Sequence, residues 1–178
     1  VVAITATFAA LVAGQAIEAW HEAGFLHLDI KPGNVALDAG GGVVVLDAGH
    51  ARKMTGGAVP VSHGHGTPGF VAPELLAHDT PAVATAACDV FSLGKMLQHL
   101  VRAFQVDVWL AARLMANRFL VVVCVVHVDG FIAELDRGIC SEHFDSLLQL
   151  AQRMTNPKPE LRPVLSEVLR MIATNGIS

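Results

Sequence analysis

Apolar positions at helical spacing mark four segments of the chain. The first runs over residues 5–23, and Gly24 follows as a typical helix stop. Three more segments lie at residues 87–104, 144–155 and 163–173. Each carries one broad apolar face, so we predict four amphipathic helices.

Two short runs rich in β-branched residues predict strands at residues 34–37 and 43–46. Residues 38–42, Asp-Ala-Gly-Gly-Gly, lie between them and predict a hairpin. Residues 49–69 are rich in Gly, His, Thr, Ser and Pro and show no apolar period, so we predict one long loop, often a functional feature. The fold class expected is mainly α with a small β hairpin (α+β).

Composition narrows the possible functions. The chain has 178 residues, enough for one domain, with 12 Lys and Arg against 16 Asp and Glu and a net charge of −4. This charge argues against a nucleic-acid partner, and an apolar fraction of 53% argues against disorder. The longest apolar run, residues 119–126, is far shorter than the roughly 20 residues of a membrane span.

Cysteine usage points to a compartment. The three cysteines, Cys88, Cys124 and Cys140, are odd in number and form no C-x-x-C pair. They predict a reducing, intracellular location (cytoplasmic or nuclear) and no structural zinc site.

The most informative stretch is His27-Leu28-Asp29-Ile30-Lys31-Pro32-Gly33-Asn34, which has the form H-x-D-x-K-x-x-N. Asp47 follows directly after the second predicted strand, so the hairpin should bring Asn34 and Asp47 to neighbouring strand ends. Their oxygen atoms are ligands that Mg²⁺ accepts. Asp29 can accept the proton of an attacking hydroxyl, and Lys31 places a cation beside a phosphoryl group. Together these are the parts that phosphoryl transfer needs.

This stretch, together with Asp47-Ala48-Gly49, resembles the catalytic loop and metal-binding Asp of eukaryotic protein kinases. Further landmarks follow in that family's order: residues 66–74, ending in Ala-Pro-Glu, residues 89–94, Asp-Val-Phe-Ser-Leu-Gly, and residues 156–163, which contain Arg162. The resemblance implies a protein-kinase-like fold and a serine/threonine protein kinase. Such an enzyme transfers the γ-phosphate of ATP to Ser or Thr hydroxyls of a protein substrate with Mg²⁺. It also implies an activation segment over residues 47–74.

The resemblance further implies a role for each matching residue of the site. Asp29 is the implied catalytic base, Lys31 the implied contact to the γ-phosphate, and Thr67 the implied support of both. The implied positions for ATP and its metal are Lys31, Asn34, Ala36 and Asp47, of which Asn34 and Asp47 are the Mg²⁺ ligands.

Five more positions have implied structural roles. His27 is expected to pack below the catalytic loop, and Asp89 to brace the backbone of that loop, although an ordinary helix-start Asp is an equally good local explanation. Glu74 and Arg162 are expected to form a buried ion pair. Gly49 completes the tripeptide that begins with the metal-binding Asp.

Three positions depart from the family's pattern. Leu28 stands where many kinases have an Arg that receives the phosphate of the activation loop. Activation through phosphorylation of Thr55, Ser62 or Thr67 would therefore lack that receptor. Ala48 stands in place of a Phe, and Ala36 in place of a larger aliphatic residue. These two substitutions leave open the alternative of a pseudokinase or a non-catalytic protein-binding fragment.

One stretch of the chain does not resemble the kinase family, and one part of the family's domain has no counterpart in the chain. Residues 106–140 match the family's pattern poorly and are expected to be an insertion. Nothing in residues 1–178 resembles the small lobe, with its Gly-rich loop and strand lysine. We therefore expect a partial kinase domain, the C-terminal lobe only. Such a lobe would need the missing small lobe for activity and would expose an apolar face for that lobe or another partner.

Overall fold

The computed structural model describes residues 13–37, 43–62, 64–76, 82–105 and 140–175. All four predicted helices are confirmed within these ranges, with ends shifted by up to four residues. They are α1 over residues 13–22, α2 (Ala86–Gln105), α3 (Cys140–Met154) and α4 (Leu165–Asn175). Residues 5–12 of the first predicted helix, the hairpin turn at 38–42 and residues 106–139 of the expected insertion lie outside the described residues.

Six short strands form three antiparallel pairs in the described parts of the chain. The pairs are β1 (Phe25–Leu26) with β4 (Arg52–Lys53), β2 (Val35–Leu37) with β3 (Val43–Val45), and β5 (Ala58–Val61) with β6 (Ala82–Thr85). The β2–β3 pair confirms the predicted strands, with Val35 opposite Val45.

The prediction of one long loop over residues 49–69 is wrong. Two strands, β4 and β5, lie in this stretch, and its first two residues belong to the 3₁₀ helix Ala48–His50. The strands show no local pattern because they are only two and four residues long and include Arg, Lys and Pro. Their hydrogen-bonding partners, β1 and β6, are distant in sequence. The β part of the fold is therefore larger than a single hairpin.

Two apolar clusters hold these elements together. The helix cluster joins all four helices and includes Ile17, Leu97, Leu147 and Val168. Helices α2 and α3 approach closely at Gly94, where an added Cβ would lie 2.6 Å from Cβ of Met154.

The second cluster lies beneath the β5–β6 pair. This strand cluster contains Leu28, Val61, Val71 and Leu75 among its buried members. Leu28 belongs to the strand cluster, whereas Ile30 belongs to the helix cluster. The polar loop between β1 and β2 is thus fixed on both sides of Asp29. Among the described helices, none has the length and apolar character that crossing a membrane requires.

Candidate active site

Most polar groups of the candidate site come from the loop between β1 and β2. Asp29 is 4% exposed and accepts hydrogen bonds from three side chains. The donors are Lys31 Nζ at 2.8 Å, Asn34 Nδ2 at 2.9 Å and the Thr67 hydroxyl. Lys31 Nζ also donates to Thr67 Oγ1 at 2.7 Å. Asp29, Lys31 and Thr67 therefore form a closed triangle of hydrogen bonds, although Thr67 is far from the loop in sequence.

The charge state of Asp29 follows from these contacts. Burial alone would raise the pKa of this carboxyl, because a charged group loses hydration. Hydrogen bonds from Lys31, Thr67 and Asn34, with the positive charge of Lys31, outweigh burial and lower the pKa below its ordinary value. Asp29 is consequently an anion at neutral pH and can accept a hydrogen bond from an incoming hydroxyl.

Asn34 and Asp47 lie at adjacent ends of β2 and β3. Leu46, at the end of β3, donates its N–H to the carbonyl of Asn34 at 2.7 Å. Asn34 Nδ2 faces two acceptors, the carbonyl and the carboxylate of Asp29, so the amide oxygen of Asn34 points away from Asp29. Asp47 is exposed, has a left-handed φ of 62°, and accepts the N–H of Gly49 at 3.2 Å.

These two side chains fit a magnesium ion. Mg²⁺ takes hard oxygen ligands and uses few protein groups, with phosphate oxygens and water completing its shell. Asn34 offers an amide oxygen that is turned away from Asp29, and Asp47 offers an accessible carboxylate. In the described parts of the chain, no group of three or more His, Cys, Asp or Glu side chains could hold a metal ion.

His27 connects the loop to the strand before Asp47. Its ring is fully buried and lies edge-on to Trp20, at 5.2 Å between centroids. His27 Nδ1 accepts the N–H of Asp29 at 3.3 Å, so the proton sits on Nε2, which donates to the carbonyl of Leu46 at 3.1 Å. The imidazole thus connects the Asp29 backbone to the end of β3.

The backbone just before Asp29 is strained. Leu28 has a φ of 65°, a left-handed conformation that costs a side-chain-bearing residue about 1–2 kcal/mol. The Asp89 carboxylate accepts the N–H groups of His27 at 2.9 Å and Leu28 at 2.8 Å. On the other face, a Cβ at Gly66 would lie 2.6 Å from the carbonyl oxygen of Leu28. Only glycine leaves room for this approach.

Glu74 and Arg162 form a separate group at the start of α2. The Arg162 side chain is fully buried and binds the carboxylate through two nitrogens, at 2.6 and 2.8 Å. Its guanidinium also lies 4.9 Å from the centroid of the Phe91 ring. The remaining acceptors of Arg162 are the backbone carbonyls of Asn156, Ala87 and Pro157.

The charge of Glu74 depends on this pair. Burial would raise the pKa of Glu74, but the hydrogen bonds and charge of Arg162 lower it below its ordinary value. Cys88 donates to the same carboxylate at 3.2 Å, and burial raises the pKa of its thiol to about 12. Cys88 is therefore a protonated, unreactive thiol.

Ala36 and Ala48 differ in their surroundings. Ala36 is buried in β2, whereas Ala48 is exposed in the 3₁₀ helix after Asp47. Ala48 lines an apolar groove of about 500 Å³. The other lining residues are Ala19, Trp20, Ala23, Phe25 and Ala51.

Sequence reasoning missed two residues of this site. His21 Nε2 contacts the Asp89 carboxylate at 2.8 Å, and a lone histidine on a helix gives no sequence signal for such a contact. Gly66 is needed for its close approach to Leu28, which a glycine directly before Thr67 could have suggested.

The comparisons with known proteins agree on one family. The sequence model of the protein kinase domain family matches residues 4–172 of this chain. Salt tolerance receptor-like cytoplasmic kinase 1 of Oryza sativa is 31% identical over 170 residues, covering 89% of this chain and 45% of that protein. Serine/threonine-protein kinase/endoribonuclease IRE1a of Arabidopsis thaliana is 30% identical over 158 residues, covering 84% of this chain and 16% of that protein.

A bacterial relative gives a higher identity over a shorter stretch. Serine/threonine-protein kinase PknK of Mycobacterium tuberculosis is 43% identical over 82 residues, covering 46% of this chain and 7% of that protein. The chain spans less than half the length of each of these three relatives.

Proposed function

Because the chain belongs to the protein kinase domain family, we propose that it transfers the γ-phosphate of ATP to serine or threonine hydroxyls of protein substrates. The observation that carries this proposal is the closed triangle of Asp29, Lys31 and Thr67, joined to Asn34. This arrangement places the ionised carboxylate of Asp29 next to the ammonium group of Lys31. Phosphoryl transfer needs such positioning and charge neutralisation.

Each side chain has one task in this proposal. Asp29 accepts a hydrogen bond from the substrate hydroxyl and orients its oxygen towards the phosphorus. Lys31 lies 2.8 Å from Asp29 and is partly exposed, so its ammonium group can neutralise charge on the transferred phosphoryl group. Thr67 fixes both by accepting from Lys31 and donating to Asp29.

Asn34 and Asp47 would hold Mg²⁺ in this proposal. The ion supplies positive charge that offsets the negative charge of the ATP phosphates. His27, Gly49 and Asp89 help to keep Asp47 and the loop that carries Asp29 in place through the contacts described above. Ala36, buried in β2, would lie at the floor of the adenine site.

The proposed activity also requires a small lobe. We propose that residues 1–178 act as a partial kinase domain, with 47–74 as the activation segment and 106–140 as an insertion. The Gly-rich loop and strand lysine would come from a small lobe outside this stretch. The apolar groove beside Ala48 has the character of a surface that such a lobe could cover.

Substitution of Asp47 tests the proposed function. In the protein expressed from its full reading frame, Asp47→Asn should lower Mg²⁺-dependent phosphate transfer by roughly 100-fold, because a charged metal ligand is lost. Transfer from γ-labelled ATP to a generic protein substrate measures this. Asp145→Asn, an exposed position on α3, is the matched control and should keep wild-type transfer.

A non-catalytic binding module is the second candidate function. It is favoured by Ala48, whose small side chain leaves the apolar groove open beside Asp47. If the wild-type protein transfers no more phosphate than Asp47→Asn, the enzyme proposal fails and the binding module is retained.

Activity should not depend on phosphorylation of the exposed residues Thr55 and Ser62. Leu28 is buried in the strand cluster and offers no cation for a phosphate, and β5 is already held by β6. The double variant Thr55→Ala/Ser62→Ala should therefore keep phosphate transfer within about twofold of wild type. Initial rates of both proteins, purified from the same host, provide the measurement. A loss above about tenfold would contradict the expectation.

A further inference from the structure

The buried Asp89 carboxylate gathers donors from two elements. Its Oδ1 accepts the N–H of Leu28 at 2.8 Å, and its Oδ2 accepts the N–H of His27 at 2.9 Å. Oδ2 also contacts His21 Nε2 at 2.8 Å. The two amides belong to the loop that carries Asp29, whereas His21 comes from α1. One carboxylate thus joins α1, α2 and the loop before Asp29.

The contact with His21 has a defined direction. A carboxylate only accepts, so the proton of the imidazole lies on Nε2. The side chain of Asp89 is fully buried and that of His21 is 12% exposed, so the bond lies largely out of contact with water. Losing this donor would weaken the restraint on the rotation of the carboxylate, whose two oxygens must each face one amide.

The orientation of Asp89 bears directly on Asp29. The bond from its N–H to Asp89 helps to hold Leu28 in a left-handed conformation that is unfavourable for leucine. Its carbonyl is already packed against Gly66. A rotation of the Leu28 peptide would turn the next residue, Asp29, away from Lys31 and Thr67.

We propose that His21 is a positioning residue for the phosphate transfer proposed above, acting through Asp89 and Leu28 to set the direction of Asp29. This inference rests on that proposed function for its effect on rate. The positioning itself is a property of the chain and can be measured without catalysis. His21 touches neither substrate nor nucleotide in this proposal.

Two substitutions separate positioning from simple support of α1. His21→Gln keeps an N–H donor at a similar reach, whereas His21→Leu removes the donor and keeps an apolar body of similar size. We expect His21→Leu to lower kcat about tenfold or more, the effect of losing one hydrogen bond to a charged group, with KM for ATP and peptide within about twofold. His21→Gln should stay within about threefold of wild-type kcat, and Glu22→Gln, an exposed neighbour, should match wild type.

Amide hydrogen exchange in the same proteins gives the readout that needs no activity. In His21→Leu, exchange at Leu28 should rise about tenfold, while Leu97 in the helix cluster keeps its wild-type rate. His21→Gln should leave Leu28 unchanged. Equal rates at Leu28 in wild type and His21→Leu would overturn the proposal. The proposal would also be overturned if amide exchange rose at Leu97 as well as at Leu28 in His21→Leu, and rose in His21→Gln too. Such a result would indicate general destabilisation.

The two proposals can fail separately. If exchange at Leu28 rises in His21→Leu but not in His21→Gln, and wild type transfers no phosphate, the positioning of Leu28 is supported and the proposed enzymatic function fails. If wild type is active and His21→Leu keeps its kcat, the role of His21 in positioning Asp29 is overturned and the proposed function stands.

Discussion

Replacing Asp29 with asparagine is expected to lower phosphate transfer by about 10²–10⁴-fold, the range that a positioned acid–base group contributes. Asp29 is the anion on which the bonds from Lys31, Asn34 and Thr67 converge. An asparagine cannot accept a proton from the substrate hydroxyl. It also removes the charge that holds the Lys31 ammonium group in place.

The fold should tolerate this change. Oδ2 of Asp29 accepts from Lys31 and Asn34, so the oxygen of an asparagine would take that position. Its NH₂ group would then face the Thr67 hydroxyl, which can turn and accept instead of donating. The thermal midpoint should therefore change little, whereas the rate should fall sharply.

Single-turnover transfer from γ-labelled ATP measures the effect, with the thermal midpoint recorded on the same samples. Asp145→Asn makes the same chemical change at an exposed position and should leave both quantities unchanged. Transfer by Asp29→Asn above about one tenth of the wild-type rate would show that Asp29 is not the proton acceptor.

The site residues that are close together in sequence are easier to predict than those that are distant in sequence. Asp29, Lys31 and Asn34 lie within six residues in one motif, so any compact loop keeps them close, and the structure joins their side chains directly. The contact of Thr67 with Asp29 could be expected only from the family resemblance, because local patterns carry no information on such a distant partner.

The strands show the same limit. Only five residues of sequence separate β2 from β3, and both strands are predicted. The strands β4 and β5 pair with partners far along the chain and are not predicted. In Ala82–Thr85 the short alternation of Ala, Val, Ala and Thr gives no strong signal, and the pairing with Ala58–Val61 supplies the hydrogen bonds. Tertiary pairing, not local propensity, decides these segments.

Replacing Arg162 with methionine is expected to lower the free energy of unfolding by about 3–5 kcal/mol, the cost of breaking a buried ion pair. The variant removes both bonds to Glu74 and leaves the carbonyls of Asn156, Ala87 and Pro157 without this donor. Glu74→Gln should lower the free energy of unfolding by less, because the Arg162 guanidinium still donates to those carbonyls and to the amide oxygen of the glutamine. The double variant should cost less than the sum of the two.

The surface pair of Arg153 and Glu167 provides the matched control. Its side chains are 50% and 35% exposed, against 0% for Arg162 and 21% for Glu74. Arg153→Met removes the same kind of group and should cost about 1 kcal/mol or less. Urea unfolding at neutral pH measures all four variants by linear extrapolation. Equal losses for Arg162→Met and Arg153→Met would show that the buried pair does not stabilise the fold.

Lowering the pH should show whether the unpaired Glu74 carboxylate causes the loss of stability in Arg162→Met. In the wild type, Arg162 lowers the pKa of Glu74 below its ordinary 4.5, so the stabilisation from Glu74 is complete above that value and is lost as the pH falls through the lowered pKa. In Arg162→Met the desolvation that raises the pKa remains without the charge that offsets it. The unpaired carboxylate then opposes folding at neutral pH, and protonation relieves this. The difference in unfolding free energy between wild type and Arg162→Met should therefore narrow when urea titrations are repeated just below pH 4.5, and an unchanged difference would mean that Glu74 contributes nothing to it.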